Sequence, residues 1–146
     1  MRAAIGAVCA AMIGCAPGMP APAAVRLGED ACAHCRMTIV STATAAQIVA
    51  PGAEPIVFDE LGCLREYLRE HTPEAAARIF VADHRSGEWI DAAIAVFTKS
   101  TVQTPMSSGL LAHADMASRD ADPSARDGSL VAAADVLVPA ALSARP

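Results

Sequence analysis

The chain has 146 residues, enough for one ordinary domain or two very small ones. Its formal net charge is −5, its cationic residues form no cluster, and it has no glycine motif for phosphate binding, which argues against a nucleic acid or nucleotide partner. Hydrophobic residues make up 53% of the chain but aromatic residues only 3%. We therefore expect a core with few large side chains and modest stability without a ligand or partner.

The amino terminus has the pattern of an export signal. Arg2 precedes a short apolar run, and Gly14 precedes Cys15. The run is too short to span a bilayer. Residues 12–15 have the pattern of a bacterial lipoprotein box, with methionine where leucine is usual. We predict that residues 1–14 are a signal peptide and that Cys15 is acylated; a plain signal peptide or an apolar start on a cytosolic protein are the alternatives.

The segment that follows Cys15 is small and rich in proline. We predict that residues 15–28 form a flexible, lipidated tether. The acyl chains would hold the protein on a membrane of the bacterial cell envelope, facing the periplasm, without spanning it.

Three cysteines remain beyond Cys15, namely Cys32, Cys35 and Cys63. An odd number in an oxidising compartment argues against a purely structural disulfide framework. At least one thiol must be free, bound to a metal, or paired with another chain.

Residues 32–37 carry the clearest chemistry. Cys32 and Cys35 have the spacing at which two thiolates can bind one ion, and Met37 adds a thioether. This soft ligand set favours Cu(I), and His34 offers an additional imidazole. Arg36 follows the second cysteine, which excludes haem attachment.

Three other interpretations of the CxxC pair stay open. A zinc site would need further ligands, for which His34, His84 and His113 are available. A dithiol redox centre would be expected at the start of a helix, whereas this pair precedes a predicted strand. The third alternative is a structural Cys32–Cys35 disulfide, with Met37 as a core residue.

The rest of the chain alternates between short strands and helices. We predict strands at residues 37–40, 47–50, 56–58, 79–81, 88–92, 95–98 and 110–112. The clearest helix begins at Asp59 as N-cap and ends near Thr72, with a buried stripe formed by Leu61, Leu64 and Leu68. Cys63 lies beside this stripe and is interpreted as a small buried side chain.

The carboxyl-terminal half gives weaker signals. Met106 lies in a Pro/Ser/Gly loop, where it is either a second thioether ligand or a gap filler. A short helix is predicted at residues 115–119, ended by Asp122-Pro123. His84 and His113 are interpreted as isolated histidines, either on the surface or with their hydrogen bonds satisfied. We predict a domain over residues 29–135 and a disordered tail over 136–146. The pattern indicates an α+β fold with small mixed or antiparallel sheets and short helices.

With these segments together, the chain resembles the NosL family, the accessory lipoproteins of nitrous oxide reductase. The resemblance rests on five features that follow one another along the chain: Cys15 in the lipoprotein box, residues 32–37, Phe58 to Cys63, Trp89 to Ala92, and Thr104 to Ala112. It covers residues 31–116.

The resemblance implies a monomeric copper chaperone, not an enzyme, built from two ββαβ units. It implies Cu(I) binding by Cys32, Cys35, Met37 and Met106. The implied partners are an envelope ABC transporter complex and the maturing reductase. Arg36 and Ser107 stand where the family often has glycine.

Overall fold

The computed structural model describes residues 18–137. In this part of the chain the elements are, in order, β1 Ala46–Val49, β2 Ile56–Phe58, α1 Leu61–Glu70, β3 Arg78–Ala82, β4 Trp89–Asp91, β5 Val96–Lys99, β6 Leu110–His113, α2 Met116–Ala121, β7 Ser129–Val131 and α3 Ala133–Leu137. None of the helices in this part has the length and hydrophobicity needed to cross a membrane.

The strands form two antiparallel sheets with matching connections. The first sheet has the order β2-β1-β3-β4 and the second has the order β6-β5-β7. In each sheet the first strand in sequence is flanked by the next two, and a helix connects those two flanking strands. This arrangement is two successive ββαβ units, and it confirms the α+β fold class.

The two units meet where β3 ends. Asp83 pairs with Ala112 of β6 in an isolated parallel bridge, and the backbone N–H of His84 donates to the carbonyl of Ala112 at 2.9 Å. The Asp83 carboxylate also accepts hydrogen bonds from the backbone of Ala114 and the hydroxyl of Ser118. Because this buried carboxylate is bonded to both units, it fixes one against the other.

The predicted apolar stripe of α1 is confirmed. Leu61, Leu64 and Leu68 are each at most 1% exposed, as expected for side chains at helical spacing that face one core. The start of the helix was predicted one residue too early. The N-cap is Glu60, whose side chain makes no capping hydrogen bond, and Asp59 is directed into a cluster of thiols instead.

The strand predicted at residues 37–40 was wrong. Arg36 has a φ of +67°, so the chain reverses there and runs back along residues 30–32. Cys32 N–H donates to Met37 O at 2.8 Å and Ile39 N–H to Asp30 O at 2.9 Å. A hairpin with so few backbone bonds is a tight turn and not a member of a sheet.

Packing contacts occur on both sides of residues 29–135, the range predicted for the domain. Ala23, in the predicted tether, exchanges two hydrogen bonds with the buried side-chain amide of Gln47. At the other end α3 packs against α1, and Val136 and Leu137 are buried. The predicted Cys15 anchor and residues 138–146 of the predicted tail lie outside the described residues.

Helix α3 provides a test of where the domain ends. Val136→Ala removes two buried methyl groups from a side chain that is 0% exposed, and should lower the free energy of unfolding by about 2 kcal/mol. Val40→Ala makes the same change at a side chain that is 76% exposed, and should change it by less than about 0.5 kcal/mol. Urea unfolding measures both. Equal effects would contradict the docking of α3.

Candidate metal centre

The hairpin at residues 32–37 brings Cys32 and Cys35 together. Arg36 N–H donates to Cys32 O at 3.0 Å, which closes the turn. Ala33 N–H donates to Val57 O at 2.8 Å and ties the turn to β2. The turn therefore lies beside the end of β2, where the chain enters α1.

The junction between β2 and α1 adds two ligands to the pair. Asp59 precedes the helix and Cys63 lies in its first turn. One ligand atom from each of Cys32, Cys35, Asp59 and Cys63 lies within 4.8 Å of all the others. We call these four residues the thiol–carboxylate cluster. Atoms this close need only small movements to coordinate one ion.

The cluster is largely shielded from water. Cys32 is 0% exposed, Cys63 2% and Asp59 3%, whereas Cys35 is partly exposed. The Cys35 thiol donates to Asp59 Oδ2 at 3.3 Å. Cys35 is therefore the side of the cluster that an incoming ion or partner ligand can reach.

Burial raises the pKa of the Cys35 thiol to about 11, and a hydrogen bond from the Met37 backbone only partly opposes this effect. Burial also raises the pKa of the Cys63 thiol. Without a cation, these thiols stay protonated at neutral pH. Since a nucleophilic thiol needs a lowered pKa, the environment disfavours the redox interpretation.

Two buried carboxylate oxygens lack hydrogen-bond partners within residues 18–137: Asp59 Oδ1 and Glu60 Oε1. Glu60 is 0% exposed. A buried carboxylate without compensation is costly, and a bound cation is one of the few ways to stabilise it. The donor set and these oxygens together fit a metal site.

The two predicted methionine ligands both have half-exposed side chains. Met37 is 48% exposed and Met106 is 50% exposed. Met106 lines a cleft of about 520 Å³ together with His34, Glu60 and Cys63. Its backbone N–H donates to Glu60 Oε2 at 3.2 Å, so the loop that carries it is held against the start of α1.

Gly62 permits this close approach of the loop. A Cβ atom at Gly62 would lie 2.3 Å from Glu60 Oε1 and 2.6 Å from Ser108 Cβ, closer than real atoms pack. Glycine at the first turn of α1 therefore lets both Glu60 and the Met106 loop contact the helix backbone.

The sequence predicted part of this centre. The structure places Cys32 and Cys35 in one cluster. Within residues 18–137, Cys32, Cys35 and Cys63 are all free, which disfavours the structural-disulfide alternative. Cys63 is buried as predicted, but its place in the cluster was missed. Asp59 was interpreted as a helix cap. The odd cysteine count was the one sequence signal for a third thiol.

Comparison with known proteins identifies one family. The sequence model of the NosL family matches residues 24–140. No curated protein and no solved structure matches the chain. The matched range contains both ββαβ units and the whole thiol–carboxylate cluster.

The raised thiol pKa predicts a loss of stability in alkali. The folded state holds the Cys35 proton up to about pH 11, whereas the unfolded thiol loses it near pH 9.0. The contribution of the Cys35 thiol to the free energy of unfolding is therefore complete below pH 9.0 and is lost as the pH rises through about 11. Urea midpoints of the metal-free, reduced protein measure this loss. Cys35→Ser should lose less over the same range; an identical loss would contradict the assignment.

The positive φ angles at Arg36 and Ser107, +67° and +59°, predict a second effect. Side chains with a Cβ are strained in this region by about 1–2 kcal/mol, and glycine is not. Arg36→Gly and Ser107→Gly should each raise the free energy of unfolding by about 1 kcal/mol. Ser41→Gly, outside this backbone region, should not. Destabilisation by both substitutions would show that the turns are not strained.

Proposed function

The chain belongs to the NosL family, and from that premise we propose that it binds Cu(I) at the thiol–carboxylate cluster. The observation that carries the proposal is the approach of Cys32, Cys35 and Cys63 to one another, with ligand atoms within 4.8 Å. Three thiolates form a soft site, and soft sites select Cu(I) over hard cations. Metal binding would also remove the need for the buried thiols to stay protonated.

Met37 and Met106 are proposed to act as exchange ligands. Each thioether is about half exposed, and Met106 shares a cleft with Cys63. A thioether binds Cu(I) without losing a proton, so it can receive the ion before the thiols release theirs. This arrangement supports stepwise transfer between the surface and the buried thiols.

The copper is proposed to be cargo and not the centre of a catalytic cycle. Asp59, Cys32 and Cys63 would hold the ion on the buried side, and Cys35 would leave one side accessible to a partner's ligands. A partner could then displace the protein's ligands one at a time. This chemistry fits an accessory protein that needs no turnover of a substrate.

The destination of the copper is proposed from the family and the sequence. The chain would be anchored through acylated Cys15 to a membrane of the bacterial envelope, facing the periplasm. There it would deliver copper for nitrous oxide reductase, together with an envelope ABC transporter complex. Anchoring raises the local concentration near membrane-bound partners, which favours transfer through weak contacts.

A structural zinc site is the second candidate. Three cysteines and one aspartate, all close together, also supply the four ligands of a tetrahedral Zn²⁺ site. The half-exposed methionines favour copper, because a structural zinc site has no use for thioethers at an opening.

Competition titrations distinguish the two metals. The full chain, reduced, should take up one Cu(I) in preference to Zn²⁺ from chelators of known affinity. Cys63→Ser and Cys35→Ser should each weaken Cu(I) binding by at least about tenfold, because each removes a ligand. Met37→Leu and Met106→Leu should weaken it less and speed its release.

Met19→Leu is the matched control, because Met19 is 76% exposed and lies outside the site. It should leave both affinities unchanged. Preference for Zn²⁺ would favour the structural site, and Cu(I) affinity unchanged in Cys63→Ser would overturn the proposed ligand set.

A further inference from the structure

A second group of potential metal ligands lies at the junction of the two units. Asp122 Oδ2 lies 2.6 Å from His84 Nδ1 and 3.0 Å from His113 Nε2. These ligand atoms all lie within 4.8 Å of one another. The interpretation of both histidines as isolated was therefore wrong. We call these residues the histidine–aspartate cluster.

The three residues come from different elements. His84 follows β3 of the first unit, His113 ends β6, and Asp122 is the C-cap of α2 in the second unit. The backbone bond from His84 to Ala112 holds the first histidine next to the strand that carries the second. Sequence spacing gives no sign of this group, since His84 and His113 lie 29 positions apart and His113 and Asp122 lie 9 positions apart.

Asp122 is fixed and ionised. Burial alone would raise its pKa, but hydrogen bonds from His113, His84 and the backbone of Ser124 lower the pKa to about 2. Ser124 N–H donates to Oδ1 at 2.8 Å, which leaves Oδ2 for the two imidazoles. Since an ionised carboxylate only accepts, both ring nitrogens that face it carry protons.

We propose that His84, His113 and Asp122 bind a divalent cation of the Zn²⁺ type, separately from the thiol–carboxylate cluster. Two imidazoles and one carboxylate are preferred ligands of borderline ions and contain none of the sulfur that selects Cu(I). Three protein ligands leave a fourth position for water. Ligand atoms of a tetrahedral zinc site are roughly 3.3 Å apart, so the distances from Asp122 Oδ2 to His84 Nδ1 and to His113 Nε2 need to open by roughly 0.7 Å and 0.3 Å.

The surroundings allow the ion to enter and to leave. The His84 side chain is 17% exposed, whereas that of His113 is 0% exposed. When an ion takes the lone pair of each facing nitrogen, the ring proton moves to the other ring nitrogen. His113 Nδ1 is buried and has no partner within residues 18–137, so the new N–H there is uncompensated. The partly exposed His84 is the side of the cluster from which an ion would enter and leave.

A cation held here would join the two ββαβ units. It would bind His84 from one unit and His113 and Asp122 from the other, beside the buried Asp83. An ion that binds only the folded state raises stability as its concentration rises. The expected role is an ion-dependent clamp between the units.

Zn²⁺ binding to the full chain tests the proposal, with His84→Gln as the variant and His71→Gln as the matched control. His71 is an exposed histidine stacked on Tyr67, outside both clusters. Compared with His71→Gln, His84→Gln should lose one Zn²⁺ equivalent and the Zn²⁺-dependent rise in unfolding temperature. The number lost is one whether or not the thiol–carboxylate cluster also takes Zn²⁺, so the result does not depend on the proposed copper site.

Two readouts on the unsubstituted protein guard against a variant that does not fold. Zn²⁺ added in excess of two equivalents, enough to fill both clusters, should shift the imidazole nitrogen resonances of His84 and His113 and leave those of His71 in place. Co²⁺ at this site should give visible bands without a thiolate charge-transfer band. Unshifted His84 and His113 resonances, or equal Zn²⁺ uptake by folded His84→Gln and His71→Gln, would overturn the proposal.

Discussion

The organisation of the first ββαβ unit depends on burying acidic side chains beside thiols. Asp59 and Glu60, at the entry to α1, are buried, and each has a carboxylate oxygen without a partner within the described residues. Most domains avoid such an arrangement because it costs free energy. Here the CxxC turn is bonded to β2, and Glu60 is bonded to the Met106 loop, so the chain holds the carboxylates in place. A cation bound among them would stabilise the buried carboxylates, and this stabilisation would favour binding of the cation.

The second unit contributes in two ways. Its Met106 loop closes one side of the cleft next to Cys63. Its strand β6 contacts the first unit through the bridge between Ala112 and Asp83 and through the histidine–aspartate cluster. The two ββαβ units therefore form two clusters with different ligand atoms. The thiol–carboxylate cluster has mainly soft sulfur, and the histidine–aspartate cluster has imidazole nitrogen and carboxylate oxygen. By ligand preference, the two proposed sites would select different ions.

Local patterns in the sequence predicted much of the fold. The Leu61, Leu64 and Leu68 stripe and the short helix near residues 115–119, which Asp115 caps by accepting from Ser118 N–H at 2.7 Å, are decided by neighbours in the chain. Strand β7 and helix α3 were missed, because they are short and only their tertiary contacts distinguish them from a polar, alanine-rich tail. Asp59 illustrates the same limit at the site. Its sequence context is that of a helix cap, and only the folded position of the CxxC turn, 24 residues earlier, makes it a neighbour of a thiol.

We propose that copper is held by sulfur from the CxxC turn and from α1 together. X-ray absorption of the Cu(I)-loaded protein measures this directly, since it reports the type and number of atoms bound to copper. We expect a sulfur-dominated shell that loses one sulfur in Cys63→Ser. A shell dominated by nitrogen or oxygen, or a sulfur shell that Cys63→Ser leaves unchanged, would contradict it.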